Sequence, residues 1–318
     1  MSIDSTSSGP GTRVVIAMIV TVLAWASAFI VIRGTGPSFS GGSLALGRLV
    51  VGTILLGVVV VAGRRWVAPN GREWMQIIGF GVLWFGAYNV TLNIAEQTLD
   101  AGTTSMLVNI APILVAIGAG LILREGIPKW LAIGAGVALV GVVLIGISSG
   151  GARVGGGTGL DATGVLWCLV AAVAYTAGVL LQKPALRRLP NAQVTWLGCV
   201  IGMVVCLPFT ADLVQELQDA PTDAIVGVVY LGAVPTALAF SAWTYALSRM
   251  PAGQLGITTY LVPPIVIVLG LIVFGEVPGT LAVVGGVICL VGVALSRRRA
   301  RNPAAAVLVT DPGKSVAE

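Results

Sequence analysis

The sequence has no histidine, and charged residues make up only 10% of its 318 positions. Without imidazole there is no His-based triad, no His-ligated zinc or haem, and no imidazole proton relay. Soluble domains carry about 25% charged residues. The few charges here cannot cover an apolar core in water, which excludes a soluble globular enzyme. The four cysteines, Cys168, Cys199, Cys206 and Cys289, lie in apolar stretches without a CxxC pair. Neither a disulfide framework nor a metal site is expected from them, and free Cys packs as a small hydrophobe. No Walker-type nucleotide motif is present, so ATP-driven chemistry is not expected. No cofactor and no metal are expected.

What is present is apolar. Hydrophobic residues make up 56% of the chain, and the mean hydropathy is +0.97. A membrane-spanning helix needs about 20 apolar residues. Apolar runs recur at 14–34, 44–62, 75–95, 102–123, 128–147, 162–182, 194–213, 223–247, 252–274 and 278–296. They are continuous, whereas β-barrel strands alternate apolar and polar residues over about 10 positions. The expected fold is therefore an all-α polytopic membrane protein with ten transmembrane helices. Residues 1–13 form a tail, 14–147 a first five-helix unit and 148–161 a Gly-rich linker. A second five-helix unit covers 162–296, and 297–318 is a basic tail. The first apolar run is too long, and lacks the following cleavage site, for a removable signal.

The net charge is +5, and its placement indicates topology rather than a nucleic-acid partner. With the N-terminus inside, 15 of the 18 Lys and Arg residues fall on the inner side, leaving only Arg33, Arg48 and Arg153 outside. The positive-inside rule then supports ten spans with both termini cytoplasmic.

The chain also repeats itself. Shifted by 151 residues, Ala101-Gly102 meets Ala252-Gly253, Pro112 meets Pro263, Glu125 meets Glu276 and Gly134 meets Gly285. Earlier in the repeat a shift of 150 pairs Trp25 with Tyr175 and Arg33 with Lys183. Each half holds five spans, so the second enters the membrane from the opposite side. A direct sequence repeat of odd span number is an inverted structural repeat, the architecture of alternating-access transporters.

Several segments resemble a known family. Trp25-Ala26-Ser27-Ala28-Phe29 is similar to its Trp-Gly-small-small-Phe signature, with Ala26 in place of the usual glycine. Arg48 opens span 2 where the family has an arginine. Ala101-Gly102, Pro112, Leu123-Arg124-Glu125, Gly134 and Gly141 resemble its span 4–5 pattern. Ala252, Pro263, Gly275-Glu276, Gly285 and Gly292 repeat it. The chain resembles EamA-type members of the drug/metabolite transporter superfamily over 14–296. The resemblance implies two EamA-like repeats of five helices and export or exchange of small metabolites, often amino acids.

Polar groups inside a bilayer are costly and are read first as functional. In span 3, Asn89, Asn93 and Glu96 (or Gln97) recur at helical spacing on one face; the alternative is hydrogen bonding between helices. In span 4, Asn109 precedes Pro112, and its repeat partner Tyr260 precedes Pro263. Asn109 and Tyr260 are expected to line a cavity. Pro112 and Pro263 are expected to be structural, because proline removes a backbone hydrogen bond. Trp25 and Tyr175 lie deep in matching spans and could flank a substrate side chain or pack in the core. Arg33, Arg48 and Lys183 could attract an anionic group at a gate, against the alternative of snorkelling to headgroups. Glu125 and Glu276 precede helices and are expected to be structural, through the helix dipole.

The expected function is secondary transport of small organic metabolites, best guessed as amino acids or their derivatives. The expected mechanism is alternating access, with export as the direction. A phosphorylated-metabolite exchanger and a multidrug efflux protein remain open as alternatives. A membrane sensor or enzyme is the non-transport alternative. Catalysis would want paired acids or an activated nucleophile, and the acids here are scattered at loops. The partners expected are a small-molecule solute and the lipid bilayer. The protein is expected to be a monomer or weak homodimer in the cell inner (cytoplasmic) membrane.

Overall fold

The computed structural model describes residues 11–124, 129–149, 162–275 and 280–296. Ten helices, and no strand, occur among the described residues. They are α1 (Thr12–Thr35), α2 (Gly41–Gly63), α3 (Gly71–Thr98), α4 (Ala101–Val108 continuing as Ala111–Ile122) and α5 (Lys129–Ser149). The second half contributes α6 (Ala162–Ala185), α7 (Asn191–Asp219), α8 (Thr222–Leu247), α9 (Ala252–Phe274) and α10 (Thr280–Ser296). Eight of them are long and apolar enough to cross a bilayer; α5 and α10 add shorter apolar stretches, Lys129–Gly141 and Val283–Gly292. Large apolar side chains such as Val61, Leu121, Ile122, Val173 and Ile272 point outward and are exposed. In water such a surface would aggregate; facing lipid it is what a membrane protein presents. Glu125 and Glu276, with Pro128 and Pro278, lie outside the described residues, as do most of the expected linker and the two tails.

Local chemistry sets the helix ends. Ser40 caps α2, its side chain accepting from the Ser43 N–H. Asn70 and Glu73 form a capping box at the start of α3, with bonds of 2.8 and 2.9 Å. Such reciprocal caps satisfy amides that otherwise lack partners. Pro112 and Pro263 each stand at the opening of a second helical stretch, in α4 and α9. A missing N–H costs little there, and the fixed φ favours the helical turn.

Two helices are wound unusually. In α3 the stretch Gly81–Ala87 is π-helical, and in α8 so is Gly232–Leu238. The two stretches begin 151 residues apart, the offset at which the sequence repeats. Both begin at a glycine that a neighbouring helix presses closely. A Cβ on Gly81 would meet the Gly198 carbonyl at 2.7 Å and Ile201 Cβ at 2.7 Å; one on Gly232 would meet the Arg48 carbonyl at 2.7 Å and Val51 Cβ at 2.5 Å. Gly198 and Ile201 are themselves 150 residues beyond Arg48 and Val51. Thus α3 leans on α7 as α8 leans on α2, and the halves exchange equivalent contacts. The helices α4 and α9 also face each other, as do α5 and α10. A Cβ on Gly292 of α10 would meet the Gly134 carbonyl of α5 at 2.7 Å. Small residues at such crossings let backbones approach, which is how helices associate in lipid.

Helix ends alternate between two sides of the bundle. Arg33, Ser40, Glu96 and Asp219 lie at one end, and Arg64, Glu73, Arg188 and Met250 at the other. We call these the Arg33 end and the Arg188 end.

Candidate functional site

A small cavity of about 40 Å³ lies between the halves toward the Arg33 end. Aromatic rings from four helices form its floor: Trp25 of α1, Trp84 of α3, Tyr175 of α6 and Phe240 of α8. The Trp84 ring lies 4.7 Å from Tyr175 and 5.0 Å from Phe240, and Trp25 lies 5.5 Å from Phe240. Offset and edge-on ring pairs add about 0.5–1.5 kcal/mol each beyond the area they bury. The Trp25 Nε1 donates to the Pro235 carbonyl at 3.3 Å, tying the floor to the π stretch of α8. Beneath it, Trp243 is fully buried, its ring 5.0 Å from Trp25.

The wall above the floor is polar on one side. Arg48 of α2 lines the cavity yet is only 3% exposed. Its Nε donates to Thr236 Oγ1 at 3.1 Å, and the Thr236 hydroxyl donates to the Leu231 carbonyl at 2.8 Å. Thr236 lies within a π stretch, where wider winding leaves carbonyls for side chains to engage. Asn89 repeats the device in α3: its Nδ2 donates to the Phe85 and Trp84 carbonyls at 2.8 and 3.2 Å. The Asn89 Oδ1 is buried at the cavity wall with no hydrogen-bond partner among the described residues. Asn109 lines the wall at the break in α4, its amide donating to the Ser105 carbonyl.

The cavity therefore gathers Trp25, Asn89, Asn109 and Tyr175 with Arg48. The other candidate residues lie elsewhere. Asn93 donates to the Gly41 carbonyl at 3.0 Å and ties α3 to the start of α2. Tyr260 is buried in a separate cluster with Met106, Leu131 and Ala135. Arg33 stacks over the Phe274 ring, 5.1 Å from its centroid. Lys183 donates to the Leu247 and Met250 carbonyls and so satisfies the end of α8, a favourable place for a cation. Trp84, Phe240, Tyr88 and Thr236 belong to the site without having stood out in the sequence. The repeat offset was the one available signal: Phe240 is the partner of Asn89 and Pro235 the partner of Trp84.

The Arg188 end is closed by contacts between halves. Arg188 Nε donates to Glu73 Oε1 at 2.7 Å, and its NH2 reaches Glu73 Oε2 and, at 2.8 Å, the Ala68 carbonyl. The Glu73 carboxylate holds the Arg188 guanidinium above its usual pKa. Gln193 pairs with both backbone groups of Val67, at 3.0 and 2.7 Å. Behind this seal, Thr244 joins Gln182 and Thr195 through 2.9 Å bonds. At the Arg33 end, the Glu216 carboxylate accepts from the Ser40 N–H at 3.1 Å.

A cavity between two reciprocally packed halves, sealed at one end, is the geometry of a solute carrier. Sequence comparison decides the family. Residues 12–147 and 162–298 each match the EamA-like transporter family. The chain belongs to that family, within the drug/metabolite transporter superfamily. This EamA protein is 34% identical, over 91% of its length and 94% of the relative's, to a probable terminal-alkyne amino-acid exporter of Streptantibioticus cattleyicolor. It is 31% identical to an uncharacterized transporter of Bacillus subtilis over 85% of this chain and 86% of that one. A crystal structure sharing 17% sequence identity superposes with a TM-score of 0.71, covering 91% of this chain and 99% of the other. That likeness supports the fold. As an EamA transporter the protein is a multi-pass membrane protein that serves a small-molecule substrate, and its relatives are transporters rather than enzymes.

Proposed function

We propose that this protein is a secondary transporter that exports amino acids or closely related carboxylate metabolites by alternating access. The observation that carries the reading is Arg48, a buried guanidinium at the wall of an aromatic-floored cavity. Guanidinium binds carboxylate in a planar two-bond pairing. The Asn89 Oδ1 offers an acceptor for an ammonium group, and the rings offer an apolar surface for a side chain. The relative from Streptantibioticus cattleyicolor, a probable amino-acid exporter, supports both the solute class and the direction.

The two units, 14–147 and 162–296, act as an inverted repeat whose equivalent contacts exchange when the cavity opens to the other side. The sorting of Lys and Arg supports a cytoplasmic Arg188 end, cytoplasmic termini and a place in the cytoplasmic membrane. In the state described here the Glu73–Arg188 and Gln193–Val67 contacts shut the cytoplasmic side. A phosphorylated-metabolite exchanger would want several cations at the site. Arg48 is the one Lys or Arg lining the cavity among the described residues.

The test is metabolite profiling of the medium from cells making the native protein or a folded Arg48→Met variant. The expected result is enrichment of an amino-acid class with the native protein alone. Equal enrichment with the variant removes Arg48 from the site, and enrichment confined to compounds without a carboxylate rejects the solute class.

A further inference from the structure

Glu96 stands one helical turn beyond Leu92 on the face of α3 that lines the cavity. It is only 7% exposed, and neither carboxyl oxygen has a hydrogen-bond partner among the described residues. The contrast with Glu73 is sharp: that carboxylate accepts from the Asn70 N–H and from Arg188. An ionised carboxylate sealed from water without donors is strongly disfavoured. Such a site favours the uncharged acid.

The groups whose charge acts on Glu96 come from several elements. Arg48 of α2 lines the same cavity as Leu92, and Arg33 of α1 and Asp100 after α3 stand at the same end of the bundle. Tyr88 of α3 and Cys168 of α6 also feel the Glu96 charge. Arg48 is thus the cation of the cavity wall that Leu92, one turn before Glu96, also lines. It makes no ion pair with Glu96 in this state, since the carboxyl oxygens are unpartnered. A solute carboxylate seated on Arg48 would cancel the positive charge that favours ionised Glu96.

We propose that Glu96 is a proton-binding site linked through Arg48 to anion binding, so that a carboxylate on Arg48 and a proton on Glu96 occupy the protein together. This rests on the reading that Arg48 receives the solute's carboxylate. The chemistry is a single proton transfer: the acid O–H breaks, water takes the proton, and the freed carboxylate turns to Arg48. When a solute carboxylate holds Arg48, that release is suppressed. Linkage is reciprocal, so a proton on Glu96 leaves Arg48 available to the solute. The coupling is one of binding and holds whichever way the solute moves.

Infrared difference spectroscopy of the purified protein in lipid vesicles tests this, with benzoate as the anion probe. Benzoate carries a carboxylate and a ring but no ammonium group. The native protein is expected to show a protonated-carboxyl band at neutral pH that Glu96→Gln lacks. Saturating benzoate should let the band survive to higher pH by about one unit, a tenfold firmer hold on the proton. Arg48→Met should abolish that benzoate effect. Absence of the band at neutral pH, or its persistence in Glu96→Gln, overturns the proton site. A band indifferent to benzoate overturns the linkage. A benzoate response in a protein that moves no amino acid upholds this inference and rejects the amino-acid reading. Should Glu96→Gln fail to fold, Glu96→Asp replaces it: the carboxyl band must change frequency, and an unchanged band overturns the assignment.

Discussion

Arg48 in the first half and Gly198 in the second stand 150 residues apart at equivalent places. Arg48 brings a buried guanidinium to the cavity wall. Gly198 brings no side chain, and a Cβ there would meet the Phe80 ring at 2.4 Å. Glu96 and Leu247, 151 residues apart, differ in the same way: one is a buried acid, the other an apolar residue whose carbonyl receives Lys183. Yet the backbones of the two halves match closely, down to the π stretches and the glycines that open them. The equivalent glycine contacts make the packing of the two halves alike, while their side chains differ where the cavity carries charge. Selection can alter the chemistry of one half without disturbing the contacts that both halves need.

The largest effect expected from breaking this comparison is at Trp84. It is 1% exposed and touches Trp25, Tyr175 and Phe240, whereas its second-half counterpart is Pro235. Trp84→Ala should cost about 3–5 kcal/mol of stability, read as a fall in the thermal unfolding midpoint in lipid nanodiscs. A loss under 1 kcal/mol would mean that the floor is loosely packed. Next is Arg48→Met, which removes charge-assisted bonds worth about 1.5–3 kcal/mol. Uptake of labelled amino acids into proteoliposomes should drop by about 10- to 100-fold at limiting solute, while the variant still unfolds cooperatively. Unchanged uptake would move the anion site elsewhere.

The matched pair Gly81→Ala and Gly232→Ala sharpens the symmetry. Each places a methyl group against a carbonyl 2.7 Å away. Overpacking of this kind costs about 1–3 kcal/mol. Similar destabilisation by the two variants is expected in the same unfolding assay; a large imbalance would show that one crossing matters more. Smallest is Arg188→Ala, which removes a half-exposed partner of Glu73. Glu73 keeps the Asn70 N–H as a donor and Arg188 is half-exposed, so the unfolding midpoint should fall only slightly. Accessibility of a cysteine introduced at Val67 should rise severalfold as the Arg188 end opens more often. Unaltered labelling would mean that Gln193 holds that end by itself.

Much of the architecture was legible from apolar runs, because a bilayer imposes span length directly on sequence. In the fourth span, Pro112 and its repeat partner Pro263 stand where α4 and α9 open their second helical stretches. The π stretches were not legible, because wide winding depends on a neighbouring helix pressing on Gly81 or Gly232, and a linear pattern does not show the neighbour. The polar stripe of α3 illustrates a mixed outcome. Helical spacing put Asn89, Asn93 and Glu96 on one face, but the structure divides them between cavity wall, helix tie and buried acid. Trp84 and Phe240 resembled ordinary core aromatics, and only their meeting with Trp25 and Tyr175 marks them as the floor.

The π stretch in α3 also sets the rotational phase of everything that follows it. An α-helix turns about 100° per residue. A return to ordinary α winding across Gly81–Ala87, with no residue removed, would swing Tyr88, Leu92 and Glu96 around the helix by about that angle. The apolar length of the span would scarcely change, and insertion into the membrane would proceed as before. The acid and the ring would instead face lipid or a packed neighbour. A change of winding here is therefore a clutch between two functions of the same helix, leaving its role as a membrane strut engaged while disconnecting its role at the cavity.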